Sequence, residues 1–147
     1  MTTVRIPDTL ADRSMAGAVI VRPPVGRLQQ HFRAEELACP CGTCGRLVVH
    51  WALVELLQRM RWRLGRPLLV TSGYRCPVHN AAVDGTPSSL HLCGMAADLQ
   101  CTGLTPEMLA HVAVECGAGG TGRYPRHLHV DVGARRQWKS TYDTTTS

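Results

Sequence analysis

Two side chains able to donate to a metal, His91 and Asp98, stand seven residues apart in Ser88-Ser89-Leu90-His91-Leu92-Cys93-Gly94-Met95-Ala96-Ala97-Asp98. A helix through this segment would set them about two turns, or roughly 10 Å, apart, too far to share one ion. The small residues Gly94, Ala96 and Ala97 allow the backbone to turn back tightly, so the segment is predicted as a loop running into a strand. Further on, His127-Leu128-His129-Val130-Asp131-Val132 alternates polar and apolar residues with period two. That is the pattern of a strand with one buried face, and the other face then carries two imidazoles and a carboxylate. A fold that joins the two segments gathers imidazole nitrogen and carboxylate oxygen, donors that zinc favours.

The elements around them suit a small mixed domain. From His50 to Leu64 the positions Trp51, Leu53, Val54, Leu57, Met60 and Leu64 recur at helical spacing, with Gly65 as the stop. Leu68 to Ser72 reads as a strand ending at Gly73. Thr105-Pro106-Glu107 is an N-cap followed by proline in the first turn of a second helix that ends at Gly117. The glycine-rich stretch from Gly117 to Gly122 reads as a loop. The expected architecture is a single α+β domain, a small mainly antiparallel sheet with flanking helices on one side. Residues 1–27 are expected to form a flexible or loosely docked arm, 28–138 the domain, and 139–147 a frayed tail.

At 147 residues and 44% hydrophobic the chain is long enough for one core. No apolar run approaches the roughly 18 residues of a membrane span, and the start lacks a basic segment followed by an apolar signal core. Synthesis in the cytoplasm without a signal peptide is therefore expected, and no membrane partner. The net charge of +5 suits an anionic partner, but aromatic residues are only 5% and the basic residues are scattered, so nucleic acid is not expected.

Three protein ligands leave a fourth position on zinc for water, the open arrangement of catalytic sites, whereas structural zinc is closed by four and is cysteine-rich. Such a site lowers the pKa of its water towards about 7 and polarises a carbonyl, which is the chemistry of amide hydrolysis. The ordered motifs Ser72-Gly73-Tyr74-Arg75, Asn80, Gly85, Ser89-x-His91-x-x-Gly94-x-Ala96-Ala97-Asp98 and His129-x-Asp131 resemble those of the M15-like family of zinc D-alanyl-D-alanine carboxypeptidases and phage endolysins. The resemblance covers about residues 30 to 138. It implies a Hedgehog-type zinc fold, one catalytic Zn2+ held by His91, Asp98 and His129, and a substrate in the peptide part of bacterial cell wall. It also implies Arg75 as the group that stabilises the scissile carbonyl oxygen or anchors a substrate carboxylate, and Ser89 as a lining residue of the peptide subsite. A buried salt bridge for Arg75 and a turn cap for Ser89 are the structural alternatives. Taken with the expected lack of a signal, the resemblance suits a phage endolysin or a virion component, with phage virion proteins as further partners.

One position departs from the pattern. Many members of the family place an acidic general base three residues before the last histidine ligand, where this chain has Arg126, and a guanidinium accepts no proton. In a strand, His127, His129 and Asp131 follow one another at about 6 to 7 Å on one face, so both neighbours of the ligand can reach the reacting water. Asp131 is the favoured proton carrier, with His127 stabilising the transition state, against a bracing role for Asp131 behind a ligand imidazole. The Tyr124-Pro125 and Gly133-x-x-Arg136-x-Trp138 patterns resemble a branch of the family that includes cell-wall endopeptidases. A noncatalytic zinc module that recognises wall fragments or a protein partner is the alternative that Arg126 allows.

The chain has seven cysteines, an odd number that rules out pairing of all of them within one chain. Cys39-Pro40-Cys41-Gly42-Thr43-Cys44 has knuckle-like spacing, and either Cys76 or His79 can complete a set of four. Cys39, Cys41, Cys44 and Cys76 are thus candidates for a second, structural metal or for a disulfide, with free thiols the third possibility. Cys93, Cys101 and Cys116 lie among apolar neighbours and read as small hydrophobes.

Overall fold

In the computed structural model the described residues are 2–5 and 17–142. The helix expected from periodicity is α2, Trp51–Leu64, with His50 as its N-cap and Gly65 closing it in the left-handed conformation at φ 65°. Its buried stripe is Leu53, Val54, Leu56, Leu57 and Met60, while Trp51 at its start is 38% exposed. The second helix is α4, Pro106–Glu115, opened by the Thr105 hydroxyl, which accepts from the Met108 amide at 3.1 Å. These helices pack on each other, and α4 lies on one face of the main sheet against strands β8, Gly120–Arg123, and β9, Leu128–Asp131. Of two short helices, α1, Ala34–Leu37, puts Ala34 and Leu37 into the core, and α3, Pro77–Ala82, buries Asn80.

The main sheet has five strands in the order β10-β8-β9-β7-β6, where β6 is Leu69–Ser72, β7 is Ala96–Gln100 and β10 is Arg136–Lys139. Three of its pairings are antiparallel and only β10 with β8 is parallel. The fold is thus α+β with a mainly antiparallel sheet. The turn expected between His91 and Asp98 is a 3₁₀ turn, Leu90–Cys93, closed by Gly94 at φ 72° and followed at once by β7.

Two expectations need correction. The stretch Gly117 to Gly122 is not all loop, because Gly120 opens β8. A glycine is required there because a Cβ on Gly120 would lie 2.3 Å from Asp131 Oδ2, and one on Gly122 would lie 2.3 Å from the Trp138 ring. Glycine within a strand marks the close approach of another group, which sequence alone reads as a break.

The second correction concerns the arm. Residues 18–22 form β2, the middle strand of a separate three-stranded sheet, between β1, Thr2–Arg5, and β5, Leu47–His50. Ala18 and Val21 are fully buried in the core. The packed domain therefore begins at least ten residues before the expected boundary at 28. A hairpin of β3, Arg27–Gln29, and β4, Phe32–Arg33, follows. The rest of the expected arm, residues 1 and 6–16, lies outside the described residues, as do residues 143–147 of the expected frayed tail. Lys139, by contrast, ends β10, and the Ser140 amide donates to the Arg123 carbonyl at 2.8 Å.

The two sheets meet at Gly94. Its carbonyl accepts from the His50 amide at 2.9 Å, and a Cβ there would come within 2.2 Å of the Val48 carbonyl oxygen. The residue that turns the chain between His91 and Asp98 is thereby wedged against β5.

Candidate metal centre

The pairing of β7 with β9 sets Asp98 opposite His129, and the 3₁₀ turn folds His91 back over both. Asp98 Oδ1 lies 3.4 Å from His91 Nε2 and 3.4 Å from His129 Nδ1. Donors held at 2.0 to 2.1 Å around a tetrahedral zinc stand about 3.3 Å apart, so the spacing is that of ligands to one ion. Asp98 Oδ1 and His129 Nδ1 have no hydrogen-bond partner although both are buried. Buried polar atoms are rarely left so, and a cation between them would supply the missing interaction.

The neighbours fix which nitrogen faces inward. His91 Nδ1 is 2.7 Å from the Gly73 carbonyl, so it carries the proton and Nε2 is left with its lone pair. On the other ring, His129 Nε2 is 2.7 Å from Asp131 Oδ2, which leaves Nδ1 to face Asp98. Strand β9 supplies this geometry by alternation, with Leu128 and Val130 in the core and His129 and Asp131 on the opposite face. That opposite face, expected to be open, is also buried. Trp138 lies across it with its ring centroid 5.0 Å from that of His129.

The expected proton carrier Asp131 is placed elsewhere. It is fully buried behind His129, and its oxygens also accept from the Gly120 amide at 2.9 Å, the Gly133 amide at 3.0 Å and both terminal nitrogens of Arg136 at 3.1 and 2.9 Å. Its acceptor positions are all engaged, an arrangement that suits a carboxylate orienting an imidazole. Burial alone would push its pKa up, but His129 and Arg136 outweigh that and hold it at about 2. Burial likewise opposes the charge on Asp98, yet the two imidazoles hold its pKa well below the usual range. Burial pulls His91 down. It also pulls at His129, where Asp131 and Asp98 prevail and raise it.

His127 sits at the other oxygen of Asp98, with Nε2 3.8 Å from Oδ2, and its ring stacks on Tyr124 at 4.4 Å between centroids. At 8% exposure it is more accessible than His91, Asp98, His129 or Arg75. Arg75 is 1% exposed, with Nη2 3.6 Å from Asp98 Oδ2 and Nη1 donating to Asn80 Oδ1 at 3.2 Å. Its Nη2 has no hydrogen-bond acceptor and remains able to meet an oxygen brought to Asp98. Asn80 in turn donates to the Thr86 carbonyl at 3.0 Å, and Gly85 must be glycine because a Cβ would lie 2.0 Å from Asn80 Oδ1. Ser89 is buried, and its hydroxyl accepts from the His91 amide at 3.2 Å, so it caps the turn that carries His91.

The roles of Arg136 and Trp138 were not assigned from sequence. Their spacing of two along a strand is the signal, since it puts the guanidinium on Asp131 and the indole on His129 from one face of β10. Trp138 Nε1 also donates to the Tyr124 hydroxyl at 3.1 Å. Apart from this centre, the structure gathers Cys39, Cys41, Cys44 and Cys76 in a second cluster, and none of the seven cysteines is in a disulfide.

Residues 30–131 match the family model described as Peptidase M15. The chain belongs to the peptidase M15 family. It is 32% identical over 95 residues to the peptidoglycan L,D-endopeptidase MepK of Escherichia coli (strain K12), across 58% of this chain and 52% of that protein. MepK of Shigella flexneri matches to the same extent. The chain thus spans about half the length of the curated relatives it matches.

Proposed function

We propose that this member of the M15 family is a zinc-dependent peptidase that hydrolyses an amide bond in the stem peptides or cross-links of peptidoglycan, as an endopeptidase of the L,D type. The observation that carries the reading is the convergence of His91 Nε2, Asp98 Oδ1 and His129 Nδ1 at ligand spacing, with the lone pairs of both imidazoles turned inward. The L,D bond and the endo mode rest on the names of the relatives.

When bound, zinc supplies Lewis-acid polarisation of the scissile carbonyl and lowers the pKa of a water to about 7. This chain's own residues do the rest. Arg75 Nη2 donates to the carbonyl oxygen as negative charge develops there, and Asn80 and Asp98 hold its guanidinium in place. His127 takes the proton of the attacking water and passes it to the departing amine, since it stands beside Asp98 and is more accessible than Asp98 or either ligand imidazole. Asp131, gripped by Arg136, keeps His129 in the tautomer that presents Nδ1.

A noncatalytic zinc module is the second reading, favoured by Arg126. This residue is exposed, with its carbonyl held by Gln100 Nε2 at 2.8 Å, in the turn that Tyr124 and His127 close. Mass spectrometry of purified peptidoglycan and of its soluble stem peptides, incubated with zinc-loaded protein, separates the two. New fragments that are absent with chelator and with His129→Ala are expected, and their masses name the bond. Cleavage appearing only in Arg126→Glu would overturn the reading in favour of the module.

A further inference from the structure

We infer that Cys39, Cys41, Cys44 and Cys76 form a structural zinc site, independent of the peptidase centre, that ties the loop after α1 to the end of β6. The sulfurs of all four lie within 4.8 Å of one another. Cys41 Sγ and Cys76 Sγ are 3.8 Å apart. Four thiolates at about 2.3 Å from a tetrahedral zinc stand about 3.75 Å from each other, whereas sulfurs joined in a disulfide are about 2.05 Å apart. The observed spacing belongs to ligands around an ion.

The backbone around the sulfurs is also that of a thiolate site. Amide groups of Cys76, Thr43 and His79 each point at a sulfur, donating to Cys39 Sγ, Cys41 Sγ and Cys76 Sγ at 3.4 Å in each case. The Thr43 hydroxyl adds a contact of 3.6 Å to Cys41 Sγ. Donors directed at sulfur are poorly used on neutral thiols and stabilise the charge that thiolates keep when they bind a cation. Gly42 and Gly45, at φ 71° and 69°, bend the chain back on either side of Thr43 so that Cys41 and Cys44 face the same point. His79, the alternative fourth ligand from sequence, instead offers its amide to Cys76, and four sulfurs close the site without it. Closure by four protein donors leaves no position for substrate, so the role is structural.

The position explains what is held. Cys76 directly follows Arg75 and caps α3, which carries Asn80. Upstream of Cys39, the Leu37 carbonyl accepts from the Tyr74 amide at 2.8 Å, and a Cβ on Gly73 would lie 2.6 Å from the Leu37 carbonyl oxygen. Gly73 is the residue whose carbonyl orients His91. Zinc in the cysteine cluster thus fixes the segment from which Arg75 and the His91 contact both hang. Binding transfers the thiol protons to solvent, and no oxidant is needed.

The test uses the full chain with His91→Ala and Asp98→Ala, purified with a reductant and zinc, to remove the peptidase centre. Metal analysis of the folded protein is expected to give one zinc per chain, with X-ray absorption showing sulfur alone at about 2.3 Å. Adding Cys41→Ser and Cys44→Ser is expected to abolish it. A folded, reduced chain without zinc, nitrogen or oxygen in the first shell, or a mass lower by two hydrogens per bridge would each overturn the inference. Should the cysteine variants fail to fold, cobalt titration of the wild-type chain decides, because thiolate-to-cobalt charge-transfer absorption is expected and its absence overturns the site. Loss of the peptidase reading would leave this sulfur-bound zinc in place, so the two failures are distinguishable.

Discussion

The two donor clusters of this chain differ in what they leave over. At His91, Asp98 and His129 three donors converge and each has a bracing partner of its own, in Gly73, Arg75 and Asp131 respectively. At Cys39, Cys41, Cys44 and Cys76 four donors converge, and three of them are braced by backbone amides, with the Thr43 hydroxyl added at Cys41. The first arrangement invests in the orientation of each ligand and, with three donors, would leave a tetrahedral ion its fourth position, while the second closes on itself. Donor number and the source of the bracing thus separate a centre built for reaction from one built for anchorage.

The comparison breaks most plainly at His129. His129→Ala is expected to abolish peptidoglycan cleavage and to remove the histidine-bound zinc, while sulfur-bound zinc persists; zinc analysis beside the cleavage assay checks both. Next in size is His127→Gln, for which a fall of about 10²- to 10⁴-fold in kcat with zinc retained is expected, since one proton carrier is lost. Retained kcat in this variant would return the proton transfer to another group. Gly94→Ala forces a left-handed φ on an L-residue and drives a methyl group at the Val48 carbonyl, at a cost on the order of 3 kcal/mol. Denaturant unfolding measures it, and weaker zinc binding at the histidine centre is expected to accompany it. The smallest effect belongs to Asp131→Asn, which keeps the shape and loses the charge that orients His129. A fall of 10- to 100-fold in zinc affinity, about 1.4 to 2.7 kcal/mol, is expected by competition with a chelating dye.

The candidate ligands were legible in the sequence because donor type, spacing and small neighbours all bear on the same few residues. The helices were legible for a similar local reason, since α2 and α4 carry their own periodicity, caps and stops. What stayed hidden depends on partners far away in the chain. The burial of β2 exists only because β5 pairs with it across more than twenty residues. Asp131 and His127 flank His129 symmetrically in sequence, and period two places all three on one face. Arg136 and Gly120, arriving on strands β10 and β8, capture the first, while the turn at Tyr124 leaves the second beside Asp98. Gly120 and Gly122 looked like loop residues because the groups that fill their missing side chains, Asp131 and Trp138, are invisible to local pattern.

The wedge at Gly94 makes the spacing of His91 and Asp98 a property of the whole molecule. A jaw of a caliper is set from outside the gap it measures, and here the outer jaw is the three-stranded sheet, pressed through Val48 against the turn between the two donors. Trimming or loosening strand β2, remote from any reacting atom, therefore slackens the gauge that keeps an imidazole and a carboxylate at the separation one ion requires.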